Sequence, residues 1–285
     1  MDLGAGRRGV DMGPSAIRYA RLEGQLEELG VDVTDLGDVD VPAVETLSLD
    51  AAGPSYLAAI RNSCVEIAAR LARLDADVFP IVLGGDHSVA MGTVPGAARG
   101  RVTGVIWVDA HADLNTPATT PSGNVHGMPL AQLLGDAAGS FTGFPGSDHP
   151  VLEEHVAIIG LRSVDPAERA RLAGSGVLAM TMKDIDRQGI SAVAAKVIER
   201  LEGLDRVHVS FDADALDPRF APGVGTPVAG GLTYREAHLL MELLSDAGIV
   251  TSLELVEVNP ILDVANETAR LMVELAASLL GRRII

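Results

Sequence analysis

Val105-Ile-Trp-Val-Asp-Ala-His-Ala-Asp-Leu-Asn-Thr-Pro-Ala-Thr-Thr-Pro-Ser-Gly-Asn-Val-His-Gly-Met128 is the stretch from which the rest of the chain is read. Its apolar run, Val105 to Val108, has the composition of a strand buried on both faces, as strands of a parallel sheet are. The run ends in Asp109, His111 and Asp113, and side chains two apart on an extended chain point the same way. Two carboxylates and an imidazole at a strand's exit suit a borderline divalent cation such as Mn²⁺. Taken alone, the same alternation is equally the wet face of a strand.

Two further clusters repeat the pattern. Ile81 to Leu83 is followed by Gly84-Gly85-Asp86-His87-Ser88, and Val207 to Phe211 by Asp212-Ala213-Asp214. In open α/β sheets, sites form at the carboxyl ends of strands. The candidate ligands are therefore His87, Asp109, His111, Asp113, Asp212 and Asp214. Four carboxylates balance two divalent ions and over-neutralise one, which favours a two-metal site with a bridging hydroxide.

With these residues in hand, the chain resembles the arginases, manganese-dependent ureohydrolases. The resemblance rests on Gly84-Gly-Asp-His-Ser88, Asp109-Ala-His-Ala-Asp113, Ser210-Phe-Asp-Ala-Asp214 and Glu257-Val-Asn-Pro260, which run in the family's order over nearly the whole chain. It implies one ureohydrolase domain over residues 1–285, a three-layer α/β/α fold of the arginase-deacetylase type, and a mostly parallel sheet of about seven or eight strands. It also implies two Mn²⁺ per subunit and assembly as a homotrimer or homohexamer. In the family a strand precedes the Asp-Leu-Gly that here follows Met1, so that strand is expected to be absent or clipped, leaving one sheet edge open.

Bulk properties agree with a globular enzyme. The 285 residues can bury one large core, and 47% of them are hydrophobic. A formal net charge of -17 argues against nucleic acid or an anionic membrane as partner, since both are polyanions. The single cysteine, Cys64, rules out an internal disulfide and a cysteine zinc cluster. Neither a signal-peptide core nor a run of membrane-spanning length occurs, and a cytoplasmic protein is expected.

Taken in order, Gly13-Pro-Ser15 leads into a helical stripe of Ile17, Leu22, Leu26 and Leu29. Val31 to Leu36 reads as a strand, the stretch to Pro54 as a surface connection, and Ser55 as the start of a long amphipathic helix. Further strands are expected at Val156 to Gly160, Gly176 to Met180 and Ile249 to Val258. Helices are expected near Pro129 to Leu134, from Asp165-Pro166, and over Ser191 to Leu201, Thr233 to Ala247 and Asn266 to Leu280. Thr233 with Glu236 forms a capping-box signature. Strands alternating with helices imply one covered parallel sheet.

A guanidinium carbon is a poor electrophile, and two metals lower the pKa of bound water from about 15.7 toward roughly 7 to 9. The resemblance implies that Asp113 takes the proton and delivers it to the leaving amine, and that His126, in Gly123-Asn-Val-His-Gly127, is a proton shuttle. Glu257, otherwise a charge at a rim, matches the family's guanidinium-binding Glu, and paired hydrogen bonds suit that role. In the arginase pattern Asn115, Thr120, Ser122 and Asn124 face the substrate α-carboxylate, Asp165 and Glu168 its α-ammonium, and Thr226 the guanidinium. Ser163 and Ala215 depart from the commoner Asp and Gly.

The resemblance thus implies hydrolysis of L-arginine to L-ornithine and urea. The rival is a ureohydrolase for another guanidino compound, of agmatinase or guanidinobutyrase type, which needs no α-carboxylate loop. A non-catalytic arginine-binding homologue would be expected to lose ligands, and a single-metal zinc deacetylase leaves six ligands unexplained.

Overall fold

A computed structural model describes residues 1–47 and 56–283. Six strands form one sheet: β1 Ile81–Leu83, β2 Thr103–Val108, β3 Val156–Leu161, β4 Leu178–Thr181, β5 Arg206–Asp212 and β6 Ser252–Val256. Their order is β1-β6-β5-β2-β3-β4, and every neighbouring pair is parallel. Parallel pairs need crossovers, which helices supply. In chain order the helices are α1 Gly13–Tyr19, α2 Leu22–Glu27, α3 Leu57–Ala72, α4 Ala90–Ala98, α5 Pro129–Leu133, α6 Pro166–Leu172, α7 Met182–Gln188, α8 Ile190–Leu201, α9 Tyr234–Ala247 and α10 Glu267–Leu279.

Alternation along the strands builds two cores. Ile106, Val108, Val209, Phe211, Leu253 and Leu255 face α1, α2, α8, α9 and α10 through Ile17, Leu26, Val197, Met241 and Met272. Val105, Trp107, Val156 and Ile158 face α4 and α5 through Ala90, Val94 and Leu130. Cys64, on α3, is buried in an adjoining cluster with Ile60 and Met91. Burying each side chain the size of Phe211 or Trp107 contributes roughly 1.5–3 kcal/mol or more.

The three-layer α/β/α architecture matches the expectation, but the sheet has six strands among the described residues rather than seven or eight. Val31 to Leu36 is not a strand. It alternates correctly, with Val31 and Val33 half-buried against the core, yet among the described residues no ladder pairs it, and the main-chain bond it makes there runs from Val31 N–H to the Leu26 carbonyl at 3.2 Å. Asp35 is drawn instead to Arg18, at 2.6 Å. A strand exists only with a partner, and edge strand β1 pairs with β6 alone among the described residues.

The stripe from Ile17 to Leu29 also divides into α1 and α2, because Arg21 adopts a left-handed φ of 67°. The expected helix start at Ser55 lies outside the described residues, as does part of the surface connection ending at Pro54; α3 is described from Leu57. Helix α7 was not expected, although Thr181 and Asp184 cap it as Thr233 and Glu236 cap α9. No helix among the described residues is long and apolar enough to cross a membrane.

Candidate metal centre and substrate pocket

The sheet order brings the carboxyl ends of β1, β6, β5 and β2 side by side, and the polar residues that follow them converge. The β1–β6 pairing continues past the strands: Gly84 N–H donates to the Leu255 carbonyl and Glu257 N–H to the Gly85 carbonyl, each at 2.8 Å. Glycine is required at 85, where a Cβ would lie 1.7 Å from the Met1 carbonyl oxygen. Asp109 N–H prolongs the β2–β3 ladder to the Ile159 carbonyl at 2.9 Å. Each turn that carries a candidate ligand therefore grows directly from a rigid strand.

His87 Nδ1 stands 3.2 Å from Asp109 Oδ2, 3.2 Å from Asp113 Oδ2 and 3.1 Å from Asp212 Oδ2. His111 Nδ1 lies 3.4 Å from Asp109 Oδ1 and 3.2 Å from Asp214 Oδ2. Two overlapping groups result, His87–Asp109–Asp113 and Asp109–His111–Asp214, each with its ligand atoms within 4.8 Å of one another and with Asp109 in both. Of these side chains only His111 is appreciably open, at 26%. The His87 ring is fixed by Nε2 against Ser210 Oγ at 2.7 Å and by a parallel stack on Trp107 at 4.0 Å. Its buried Nδ1 has no hydrogen-bond partner.

Crowded carboxylates disturb one another. Burial and the Asp109 charge push Asp113 up to about 7. Burial and neighbouring carboxylates also raise Asp212 and Asp214. Asp109 goes the other way: despite burial, His111 and His87 hold it well below the usual range. Burial opposes protonation of His111, but Asp109 and Asp214 raise it to about 12. An orphaned buried imidazole nitrogen among repelling carboxylates is a donor set suited to divalent cations of the Mn²⁺ type.

A cavity of about 200 Å³ opens over this cluster. That is smaller than the roughly 300–1,000 Å³ of drug-sized sites and fits a small metabolite. Asn115, Thr120, Ser122, Asp165, Glu168, Thr226 and His126 all line it. Asn115 Nδ2 donates to Asp165 Oδ2 at 2.6 Å, linking the loop after β2 to the start of α6. Asp165 caps α6, and Glu168 Oε2 accepts its N–H at 3.1 Å, so the expected helix start builds one wall. Thr226 Oγ1 donates to Asp214 Oδ2 at 2.9 Å. Ser163 joins the lining and Ala215 is fully buried. A larger cavity, about 450 Å³, shares no residue with this one and contains no imidazole.

Three expected site residues stand apart from the lining: Asp109, buried beneath it among the imidazoles, Asn124 and Glu257. Asn124 turns toward the amino-terminal segment, where a Cβ on Gly6 would lie 2.7 Å from its Nδ2. Glu257 sits deeper, buried, and its Oε1 lies 2.8 Å from His126 Nδ1 and accepts the His87 N–H at 3.0 Å. Against burial, the Glu257 charge raises His126 to about 9, and His126 in turn lowers Glu257. Asp113 and Glu257 both take left-handed φ, 52° and 63°, conformations that non-glycine residues hold only when their surroundings enforce them.

Four supporting residues were not singled out from sequence: Asp86, Trp107, Ser210 and Arg162. Asp86 accepts from Gly4 N–H and Ser88 N–H, each at 2.9 Å, and Trp107 Nε1 donates to Asp109 Oδ2 at 3.0 Å. Asp86 and Ser210 lie inside the quoted motifs; nothing local marks Arg162.

Fold and pocket together define an α/β protein whose strand ends carry a His/Asp cluster that could hold metal ions beneath a small polar cavity. The Arginase family model matches residues 1–281. An arginase of Bacillus subtilis (strain 168) is 49% identical over 294 residues, covering 100% of this chain and 96% of that protein. The arginase structure from Bacillus caldovelox superposes with a TM-score of 0.93 at 48% identity, covering 100% and 97% of the two chains. A proclavaminate amidino hydrolase from Streptomyces clavuligerus shares the fold at a TM-score of 0.75 and 27% identity, covering 97% and 87%. The chain belongs to the arginase family and is a ureohydrolase.

Proposed function

We propose that the chain hydrolyses L-arginine to L-ornithine and urea with two Mn²⁺ ions, held by His87, Asp109, His111, Asp113, Asp212 and Asp214. The observation that carries this reading is the pair of His/Asp groups sharing Asp109 beneath a cavity lined by Asn115, Thr120, Ser122, Asp165 and Glu168. When bound, two such ions supply a water nucleophile active near neutral pH. Asp113 takes the proton and passes it to the departing amine. Glu257 and Thr226 hold the guanidinium, which requires Glu257 to share or release His126. Asn115, Thr120, Ser122 and Asn124 receive the α-carboxylate, and Asp165 and Glu168 the α-ammonium. Catalysis by one domain spanning 1–285, in a cytoplasmic homotrimer or homohexamer, completes the proposal; a family match over nearly the whole chain and a lone buried cysteine accord with it.

Urea release with Mn²⁺ from L-arginine and agmatine at equal concentration tests the substrate. Arginine is expected to win, and Asn115→Ala, which breaks the Asn115–Asp165 link, to erase the preference. A preference for agmatine overturns the substrate. Absence of urea from either, with two ions bound, turns the reading to non-catalytic binding.

His126 is proposed as the proton shuttle. His126→Ala should lower kcat by roughly 10²–10⁴ with metal content intact. Because its folded pKa of about 9 exceeds the ordinary 6.5, its pairing stabilises the fold fully below about pH 6.5 and progressively less as pH rises through about 9. The gap in urea midpoint between wild type and His126→Ala therefore narrows over that interval. A pH-independent gap contradicts the pairing, and lost metal contradicts the role.

A further inference from the structure

Arg162 leaves the end of β3 and lies behind the pocket rather than in it. Among the described residues, every hydrogen bond of its guanidinium goes to a main-chain carbonyl. Nη2 donates to Asp214 at 2.7 Å, Leu216 at 3.3 Å and Val228 at 2.7 Å; Nη1 donates to Gly160 and Ala215, at 3.3 and 3.2 Å; Nε donates to Val228 at 3.2 Å. These carbonyls belong to three segments: the end of β3, the turn carrying Asp214, and the stretch following Thr226. Gly231 makes room for the fork, since a Cβ there would lie 2.6 Å from Nη2.

The side chains on the held segments are the ones that must agree in position. Asp214 Oδ2 lies 3.2 Å from His111 Nδ1 and accepts the Thr226 hydroxyl at 2.9 Å. A planar, permanently charged fork with five N–H groups can serve several carbonyls at once, whereas an ammonium donates from a single point. We propose that Arg162 is a positioning residue that sets Asp214 and Thr226 together, so that the Asp109–His111–Asp214 ion position and the guanidinium pocket are formed as one unit before anything binds. The inference rests on the two-ion reading above.

The test is Arg162→Lys, which keeps the charge and loses the fork, titrated with Mn²⁺ alone by calorimetry and by electron paramagnetic resonance. The expected result is one ion bound with wild-type affinity, the second weakened tenfold or more, and a KM for L-arginine raised by a larger factor than kcat falls. Two ions bound as in wild type, or both weakened equally with KM and kcat changing alike, overturn the proposal, because a general loss of stability does not choose between the ions. In the wild type, ¹⁵N-arginine labelling should show one guanidinium protected from exchange in the metal-free protein. Freely exchanging groups throughout overturn a preformed brace even where Arg162→Lys fails to fold. Fewer than two ions on the wild type refutes the two-ion reading, while the exchange measurement still judges the brace.

Discussion

Asp109→Asn is expected to release both ions and reduce urea production from arginine by three orders of magnitude or more. Asp109 belongs to both His/Asp groups, and each of its oxygens already accepts: Oδ1 from His111 N–H at 2.7 Å and Oδ2 from Trp107 Nε1 at 3.0 Å. An asparagine amide must point its NH₂ at one of those donors whichever way it turns. The substitution therefore removes a buried charge and adds a donor–donor contact. Losing one partner of a buried charged set costs about 3–5 kcal/mol, on the order of 10²–10⁴ in affinity. Asp214→Asn makes the comparison informative, because Asp214 belongs to one group only and should cost one ion. Metal content after gel filtration measures both. An Asp109→Asn protein that retains two ions would refute the shared role of this carboxylate.

Glu257→Gln should leave both ions in place and still lower kcat/KM by roughly a hundredfold. Glu257 lies outside both groups, so its effect is on the substrate, through the guanidinium it is proposed to hold. Removing one member of a buried charge-assisted pair costs about 2–5 kcal/mol, and 3 kcal/mol is on the order of a hundredfold. A second consequence follows from the 2.8 Å contact with His126. Without the carboxylate that raises it, the His126 pKa falls from about 9 toward its ordinary range, and the alkaline limb of the pH profile of kcat/KM moves to lower pH with it. A loss under tenfold, or an alkaline limb that stays in place, would show that Glu257 neither holds substrate nor tunes His126.

Much of the centre was legible before any coordinates. Buried parallel strands are continuous apolar runs, and the chain breaks them with Asp and His where the strands end, so the three turns that carry the candidate ligands announce themselves locally. A capping signature marked α9 for the same reason, since Thr233 with Glu236 satisfies orphan N–H groups within four residues, and Asp165 with Glu168 forms the same box at the start of α6. By that rule Thr181 and Asp184 marked α7 as well, and were passed over.

Other features depend on what is not adjacent. Val31 to Leu36 has a strand's alternation and no strand's partner, because pairing is a property of two segments and only their meeting creates it. The placement of Glu257 against His87 N–H joins positions 170 apart in sequence, and its contact with His126 joins positions 131 apart. The sharing of Asp109 by two groups, the left-handed φ of Asp113 and Glu257, and the six carbonyl contacts of Arg162 are likewise invisible in composition or spacing. The residue types and the strand ends that carry them were determined by the sequence alone, since periodicity and capping act over a few residues. Which carboxylate faces which imidazole, and what holds each in place, was decided by the tertiary structure, because hydrogen bonding and charge act through space and sheet order sets those distances.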